Sequence, residues 1–462
     1  MHAKDLISLG IPEGDALKLA LEHLHRLFAN GLDRAQVEAE FAAIMAHPEA
    51  FFADEEYGKF ARALVKSAFV PRTEPAPWKM WGEGLEPEAV KQMTNACALP
   101  VSVAGALMPD AHLGYGLPIG GVLATENAVI PYAVGVDIAC RMKMTVYEFK
   151  GADIAGQKDR LANILESETR FGVGAVFHKR REHAVLDENW DITPITSQLK
   201  DKAWAQLGTS GSGNHFVEFG TFEDYAGLLG GGPYLALLSH SGSRGAGAQI
   251  CNFYSKRAMA LHEYLPKELR HLSWLSLDEP DGQEYWAAMN LMGHYAAANH
   301  ACIHHHIARR LGMEPILDVE NHHNFAWKET HQIEGVEREV IVHRKGATPA
   351  GEGVLGIIPG SMASPGYLVR GKGLAASLNS ASHGAGRVMS RTKALQSFTW
   401  SSVKKLLAER GVQLLSAGLD EVPGVYKDIE AVMAAQSDLV QVLGRFHPKL
   451  VKMCPAGERA ED

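Results

Sequence analysis

Cysteine is scarce in this chain and never paired in spacing: Cys97, Cys140, Cys251, Cys302 and Cys454 are an odd five, scattered singly. That excludes a disulfide framework and favours a reducing compartment. No window holds 18 uninterrupted apolar residues, and the first residues lead into an amphipathic pattern, so neither a membrane span nor a secretory leader is expected. The expected setting is cytoplasmic, with no membrane partner. Nor is there a disorder-grade stretch. Of 462 residues 46% are apolar and 21% charged, enough for one large domain and a smaller one. Positive charge is also short overall, at a net −9, which by itself disfavours a nucleic-acid partner. Its distribution argues the other way. Between His343 and Lys405 nine Lys/Arg meet a single acid, Glu352, so this segment carries +8 and the remainder −17. A basic surface for phosphates is expected there.

Residues 1–70 read as helices. Pro12-Glu13 opens a periodic run through Leu17, Leu21, Leu24 and Leu27 that stops at Asn30-Gly31, and Asp33 caps a second through Val37, Phe41 and Ile44. A third starts near Asp54. The expected organisation is a helical extension over 1–70, a Pro-rich linker over 71–77 and a catalytic domain over 78–462, where short apolar strands alternate with Gly-rich loops.

The chemistry centres on Val134-Gly135-Val136-Asp137-Ile138-Ala139-Cys140. A carboxylate and a thiolate three residues apart suit a borderline divalent ion such as zinc or manganese, and sulfur has lone pairs enough to bridge two ions. Alone, this pattern reads as a turn cap and a buried thiol. Three further loops built of Gly, Ser or Asn each present histidine: Gly213-Asn214-His215, Ser239-His240-Ser241-Gly242, and Asn321-His322-His323-Asn324. One of His322 and His323 completes the metal set. Strand alternation puts Asn214, Phe216 and Glu218 on one face and His215 on the other, so one face is expected to bind a ligand and His215 a metal. His240 ends a buried strand just before a helix, a natural anion site that is neither a P-loop nor a dinucleotide fingerprint. Asp110 and His112 are expected in a constrained loop. The helix from about Gln283 to Leu311 carries His294, His300, His304, His305 and His306, which cannot all converge and are expected on a polar helix surface. In Ser382-His383-Gly384-Ala385-Gly386-Arg387-Val388-Met389-Ser390-Arg391, glycines leave His383 open for attack, while Arg387 and Arg391 are expected to hold phosphates. A helix starting there is disfavoured, since cations oppose the dipole at a helix N-terminus.

In this order the segments MPDAHLGYG, PYAVGVDIAC, GSGNHFVE, HSGSRG, ENHHN, RKGA, IIPGSM, SHGAGRVMSR and YKDIEAVMAAQSDLV resemble the RtcB family of RNA ligases, over roughly residues 76–452. The resemblance implies a mixed α/β (α+β) fold with central β-sheets and Gly-rich active-site loops. It also implies two manganese ions, GTP as cofactor and a guanylate carried on histidine. By motif, Asp137, Cys140, His215, His240 and His323 become the metal ligands, with Cys140 bridging. His323 is taken over His322 because it directly precedes Asn324. His383 becomes the nucleophile, Arg387 assists it, and Asp110 is an acidic position near the metals. Asn214, Phe216, Glu218, Ser361 and Tyr426 match positions around the nucleotide, and Lys452 is nearest to a C-terminal lysine that contacts guanine. Arg141 stands where the family has glycine, and Gly366 where it has a second nucleotide-contacting serine. The implied partners are RNA with a 3′-phosphate or 2′,3′-cyclic phosphate and a 5′-hydroxyl end, in RNA repair or tRNA splicing, together with an archease-like activator. A manganese-dependent RNA phosphodiesterase and an RNA-binding regulatory chain without turnover are the competing readings. A hydrolase needs water in place of His383, and a regulatory chain does not need five intact ligands.

Overall fold

Four helices open the chain: Ala3–Ser8, Asp15–Ala29, Arg34–Ala46 and Gly58–Ala68. The third begins where Asp33 accepts from the Gln36 backbone and Gln36 answers with its side chain, a reciprocal cap. Leu6, Leu24, Phe41 and Phe60 form a hydrophobic cluster among these helices, and Arg62 reaches Glu263 of the larger body at 3.6 Å. This computed structural model describes residues 1–68, 72, 74–150, 154–230 and 232–458. Pro71 and Thr73 of the expected linker, like positions 69 and 70, lie outside the described residues.

Two large sheets follow. The first has five strands in the order Trp78–Met80, Ser102–His112, Ile119–Thr125, Val336–Lys345, Asn324–Ile333. The second runs Leu355–Ile358, Gly366–Gly371, Val440–Met453, Phe216–Asp224, Tyr234–Ser241, Arg141–Lys150, Pro315–His322, with Gln413–Ser416 added beside Val440–Met453. Its two ends meet. The Asn321 side chain on the last strand accepts from Ile357 N at 2.9 Å and donates to Ile357 O at 3.3 Å, so one amide stands in for a ladder pair and nearly closes the sheet.

Closure matters because it gathers strand ends. Met453 pairs with Phe216, Phe216 with His240, and His240 with Met142, so the residues at one rim of four neighbouring strands face one space. Helix Pro280–Leu311 lies behind this sheet, starts with proline in its first turn and stops at Gly312 in the left-handed conformation. Among the described residues no helix is long and apolar enough to cross a membrane.

Two expectations are corrected here. Asp110 does not sit in a loop: strand Ser102–His112 runs on through it, with irregular register between Leu107 and His112. His300 and His304 are buried, not displayed on a polar surface. They meet the hydroxyl of Ser239, each at 2.8 Å, because that face of the helix lies against strand Tyr234–Ser241.

Candidate metal and nucleophile site

The turn before strand Arg141–Lys150 is held by three hydrogen bonds, two to Asn324 and one to Ser243. Ala139 takes a positive φ of 57° and donates to Asn324 O at 2.7 Å, while Asn324 Nδ2 donates to Asp137 O at 3.3 Å. Asp137 Oδ1 accepts from Ser243 N at 3.0 Å, ahead of helix Arg244–Leu261. Gly242 is required for that approach, because a Cβ there would meet the Asp137 carboxylate at 2.0 Å. With Oδ1 anchored, Oδ2 is left buried without a hydrogen-bond partner, 3.2 Å from His215 Nε2.

Cys140 Sγ is the shared atom. It lies 3.4 Å from His215 Nε2 and 3.1 Å from His240 Nε2, and His240 Nε2 lies 3.3 Å from His323 Nε2. Two donor triads result, Asp137–Cys140–His215 and Cys140–His240–His323, all five residues buried. Burial, then the neighbouring His215 and His383, pushes His240 down to about 3, and burial holds His323 well below the usual histidine range. Burial alone would raise Asp137. Its contact with His215, together with Cys140 and Arg244, holds it below the ordinary carboxylate value instead. Neutral imidazoles, a carboxylate and a thiol around one point form a donor set that fits metal ions, and the unpartnered Asp137 Oδ2 supports that fit. His322 turns the other way, against Phe325 and Trp327.

Behind His240 the hydrogen bonds have one consistent direction. His300 Nε2 faces the Ser241 carbonyl at 3.0 Å and must donate to it, so its Nδ1 accepts from Ser239. Ser239, its proton given, accepts from His304 Nε2. His304 Nδ1 then accepts from Thr145 at 2.9 Å, and Thr145 accepts from Tyr147 at 3.0 Å. Burial keeps both rings well below the usual histidine range, hence neutral, which this order needs.

His383 stands on the other wall. Its ring centroid is 4.9 Å from that of His323. Asp110, fully buried, accepts at one oxygen from His383 Nδ1 at 2.7 Å, His383 N at 3.2 Å and Gly384 N at 3.4 Å. Gly386 has φ 74°, and a Cβ there would strike the Asp110 carbonyl at 2.0 Å. With Nδ1 committed to Asp110, Nε2 carries the free lone pair.

Metal-set residues and His383 line one cavity of about 520 Å³, shared with Asn214, Phe216, Glu218, Ser361, Arg387 and Tyr426. Burial raises Glu218 well above the usual carboxyl range. Gly366 also lines the cavity, and a Cβ on it would meet nothing closer than 3.5 Å. Gly366 therefore leaves space where the resemblance implies a serine. Arg141 lies on the far face of its strand, donating to Glu320 at 3.2 Å and Gly293 O at 3.0 Å, while Cys140 and Met142 face the cavity.

Three readings are corrected. Lys452 points away from the cavity to Glu166 at 2.7 Å, since strand alternation gives the cavity to Val451 and Met453. Arg391 does start a helix, Arg391–Ser397, capped by Ser390, with its charge met by Asp420 at 2.9 Å and by Glu421. Four of the nine cations of the basic segment are consumed inside the fold, while Lys372, Lys393, Lys404 and Lys405 stay exposed. Arg344 is buried and forked on Glu329 at 2.6 and 3.0 Å, Lys345 donates to Tyr115 O at 2.5 Å, and Arg387 donates to Glu421 at 3.2 Å. Sequence reasoning missed Glu421, a buried carboxylate that also accepts from the Tyr426 hydroxyl. Its one signal is Asp420-Glu421 close before Tyr426.

Comparison with known proteins gives concordant results. The family model described as tRNA-splicing ligase RtcB matches residues 92–453. The RNA-splicing ligase RtcB of Escherichia coli strain K12 is 34% identical over 415 residues, covering 80% of this chain and 96% of its own length. The tRNA-splicing ligase RtcB of Methanococcus maripaludis is 32% identical over 451 residues, covering 81% and 92%. That of Archaeoglobus fulgidus is 31% identical, covering 79% and 90%.

Proposed function

The chain belongs to the RtcB family, and we propose that it is an RNA ligase joining a 3′-phosphate or 2′,3′-cyclic phosphate end to a 5′-hydroxyl end by way of guanylate on His383. The observation that carries this reading is the 2.7 Å contact from His383 Nδ1 to Asp110, which leaves Nε2 as the open ring nitrogen of a residue lining the metal-capable cavity. A hydrolase would use such a histidine as a general base and would carry no guanylate on it, so the covalent adduct is what separates the two readings.

In the proposed sequence His383 Nε2 attacks the α-phosphorus of GTP. A P–N bond forms, the Pα–O bond to pyrophosphate breaks, and the proton stays on Nδ1, where Asp110 balances the charge as a buried aspartate balances a catalytic imidazolium. A 3′-phosphate oxygen of RNA then displaces His383 from that phosphorus. Finally the 5′-hydroxyl attacks the activated 3′-phosphorus and gives up its proton to solvent, and GMP leaves with the electron pair of the broken P–O bond. A cyclic phosphate is first opened by water. Asn214, Phe216, Glu218, Ser361 and Tyr426 would surround the nucleotide. Glu218, buried in the cavity lining, suits the paired N–H donors of guanine. Arg387 would assist at the phosphates. Asp137, Cys140, His215, His240 and His323 would hold two manganese ions, which when bound neutralise charge on phosphoryl oxygens. Alignment and charge stabilisation supply the rest.

Mass spectrometry after incubation with GTP and Mn²⁺ tests the reading. One GMP should be added per chain, stable to alkali and released by acid, and His383→Ala should lose it while still binding metal. An adduct on lysine, or one that survives in His383→Ala, overturns it. An archease-like activator belongs to the same proposal and should raise turnover of the labelled protein.

A further inference from the structure

With Arg344, Arg387 and Arg391 turned inward onto carboxylates, the cavity mouth presents a different kind of surface. Leu113, Tyr115 and Val388 line the cavity, yet are 53%, 63% and 53% exposed. Large apolar side chains left in water around a reaction cavity are contact surface awaiting a partner.

The loop carrying two of them is fastened at four consecutive residues. Leu113 N donates to Glu86 at 3.0 Å. Gln92 takes Gly114 at both ends, accepting from its N at 3.0 Å and donating to its O at 2.6 Å. Tyr115 O accepts from Lys345 Nζ at 2.5 Å. Gly116, at φ 72°, lies so close to His271 that a Cβ would meet its carbonyl oxygen at 2.7 Å. The Tyr115 ring itself stands at 83° to that of His271, centroids 5.8 Å apart, and His271 in turn meets Tyr132 at 4.9 Å. An exposed turn needs no such fastening for its own stability; a surface that must hold an aromatic ring in a fixed attitude does.

We propose that loop Leu113–Gly116 is a preorganised stacking platform, with Tyr115 receiving the terminal base of an RNA end as that end enters the cavity. This rests on the RNA ligase reading. The occupant follows from the chemistry beside it, since the strand whose end reaches His383 must cross the mouth. Unpaired bases at strand ends stack on aromatic side chains without regard to sequence. Either the 3′-phosphate end or the 5′-hydroxyl end supplies that base.

The test uses the full-length protein and two short oligoribonucleotides, one with a 3′-phosphate and a 3′-terminal 2-aminopurine, the other with a 5′-hydroxyl and a 5′-terminal 2-aminopurine. Tyr115→Ala should weaken binding of at least one of them about 5- to 150-fold and lose its fluorescence quenching. The salt dependence should keep its slope, because no charge has been removed. The probe that responds identifies the end. Tyr115→Phe should restore affinity, and an unchanged unfolding midpoint in both variants shows that the loop still folds. Binding indifferent to Tyr115→Ala, or a Phe variant as weak as the Ala variant, overturns the proposal. If the unsubstituted protein takes up GMP on His383 while its RNA affinity ignores Tyr115, this proposal alone fails. If it binds neither RNA and takes up no GMP, the ligase reading fails with it.

Discussion

Replacing Asp110 by asparagine separates charge from geometry at the proposed nucleophile. Asp110 Oδ2 accepts from the His383 ring and from two backbone amides, whereas Oδ1 is buried with no hydrogen-bond partner. An asparagine that keeps its oxygen in the Oδ2 position puts its NH₂ where Oδ1 was and keeps all three acceptor contacts, losing only the negative charge. A hydrogen bond to a charged group is worth about 1.5–3 kcal/mol, so label transfer from GTP should slow about 10- to 150-fold. If the amide flips, its NH₂ faces Nδ1, the proton moves to Nε2 and the lone pair is lost. The corresponding change beside a catalytic serine–histidine pair costs about 10⁴. The assay is single-turnover transfer of α-labelled GMP to the protein, run beside a count of bound metal. A wild-type rate in Asp110→Asn would refute the orienting role, and a slow rate accompanied by lost metal would reassign Asp110 to the metal site.

Cys140→Ser should lower bound manganese from two ions per chain towards none, measured by elemental analysis with the unfolding midpoint unchanged, since Cys140 Sγ is common to both donor triads; loss of one ion alone would show that the sulfur does not bridge. Arg344→Met should leave the salt slope of RNA binding untouched and cost about 1–3 kcal/mol of stability by denaturant unfolding, because it leaves the half-buried Glu329 with His331 as its remaining partner; a flatter slope would return Arg344 to the RNA surface. Gly366→Ser should be accommodated, given that the nearest atom to its Cβ is at 3.5 Å, and should tighten nucleotide binding by about 0.5–1.5 kcal/mol through one added hydrogen bond, read by titration with GTP and ATP; a lower affinity for both would mean that the hydroxyl finds no partner.

These outcomes separate what a sequence displays from what it hides. The gathering of Asp137, Cys140, His215, His240 and His323 was legible because each sits in a loop or at a strand end whose Gly, Ser or Asn neighbours announce close backbone approach, and the curled sheet brings those strand ends to one rim. Period-two alternation also accounts for Arg141, harmless on the far face of its strand. The same rule, applied to strand Val440–Met453, turns Lys452 away from the cavity, whereas a match by motif register alone does not tell the two faces apart.

Charge was misread for a different reason. Counting Lys and Arg along His343–Lys405 treats neutralising acids as local, yet Glu329 lies 15 residues before Arg344 and Glu421 lies 34 after Arg387. A segment of +8 can therefore be electrically quiet at its core while seeming basic on paper. The histidines of helix Pro280–Leu311 fail by the same logic, for an amphipathic pattern built on Ala, His and Asn does not say which polar face is buried until Ser239 and Ser241 arrive from another strand to satisfy it. Polar residues that a fold buries take their meaning from partners far away in sequence, so they are the least legible before structure. The exposed Tyr115 is the converse: nothing in its sequence marks it, and only its fastening by Gln92, Lys345 and His271 turns a surface tyrosine into a candidate for holding RNA.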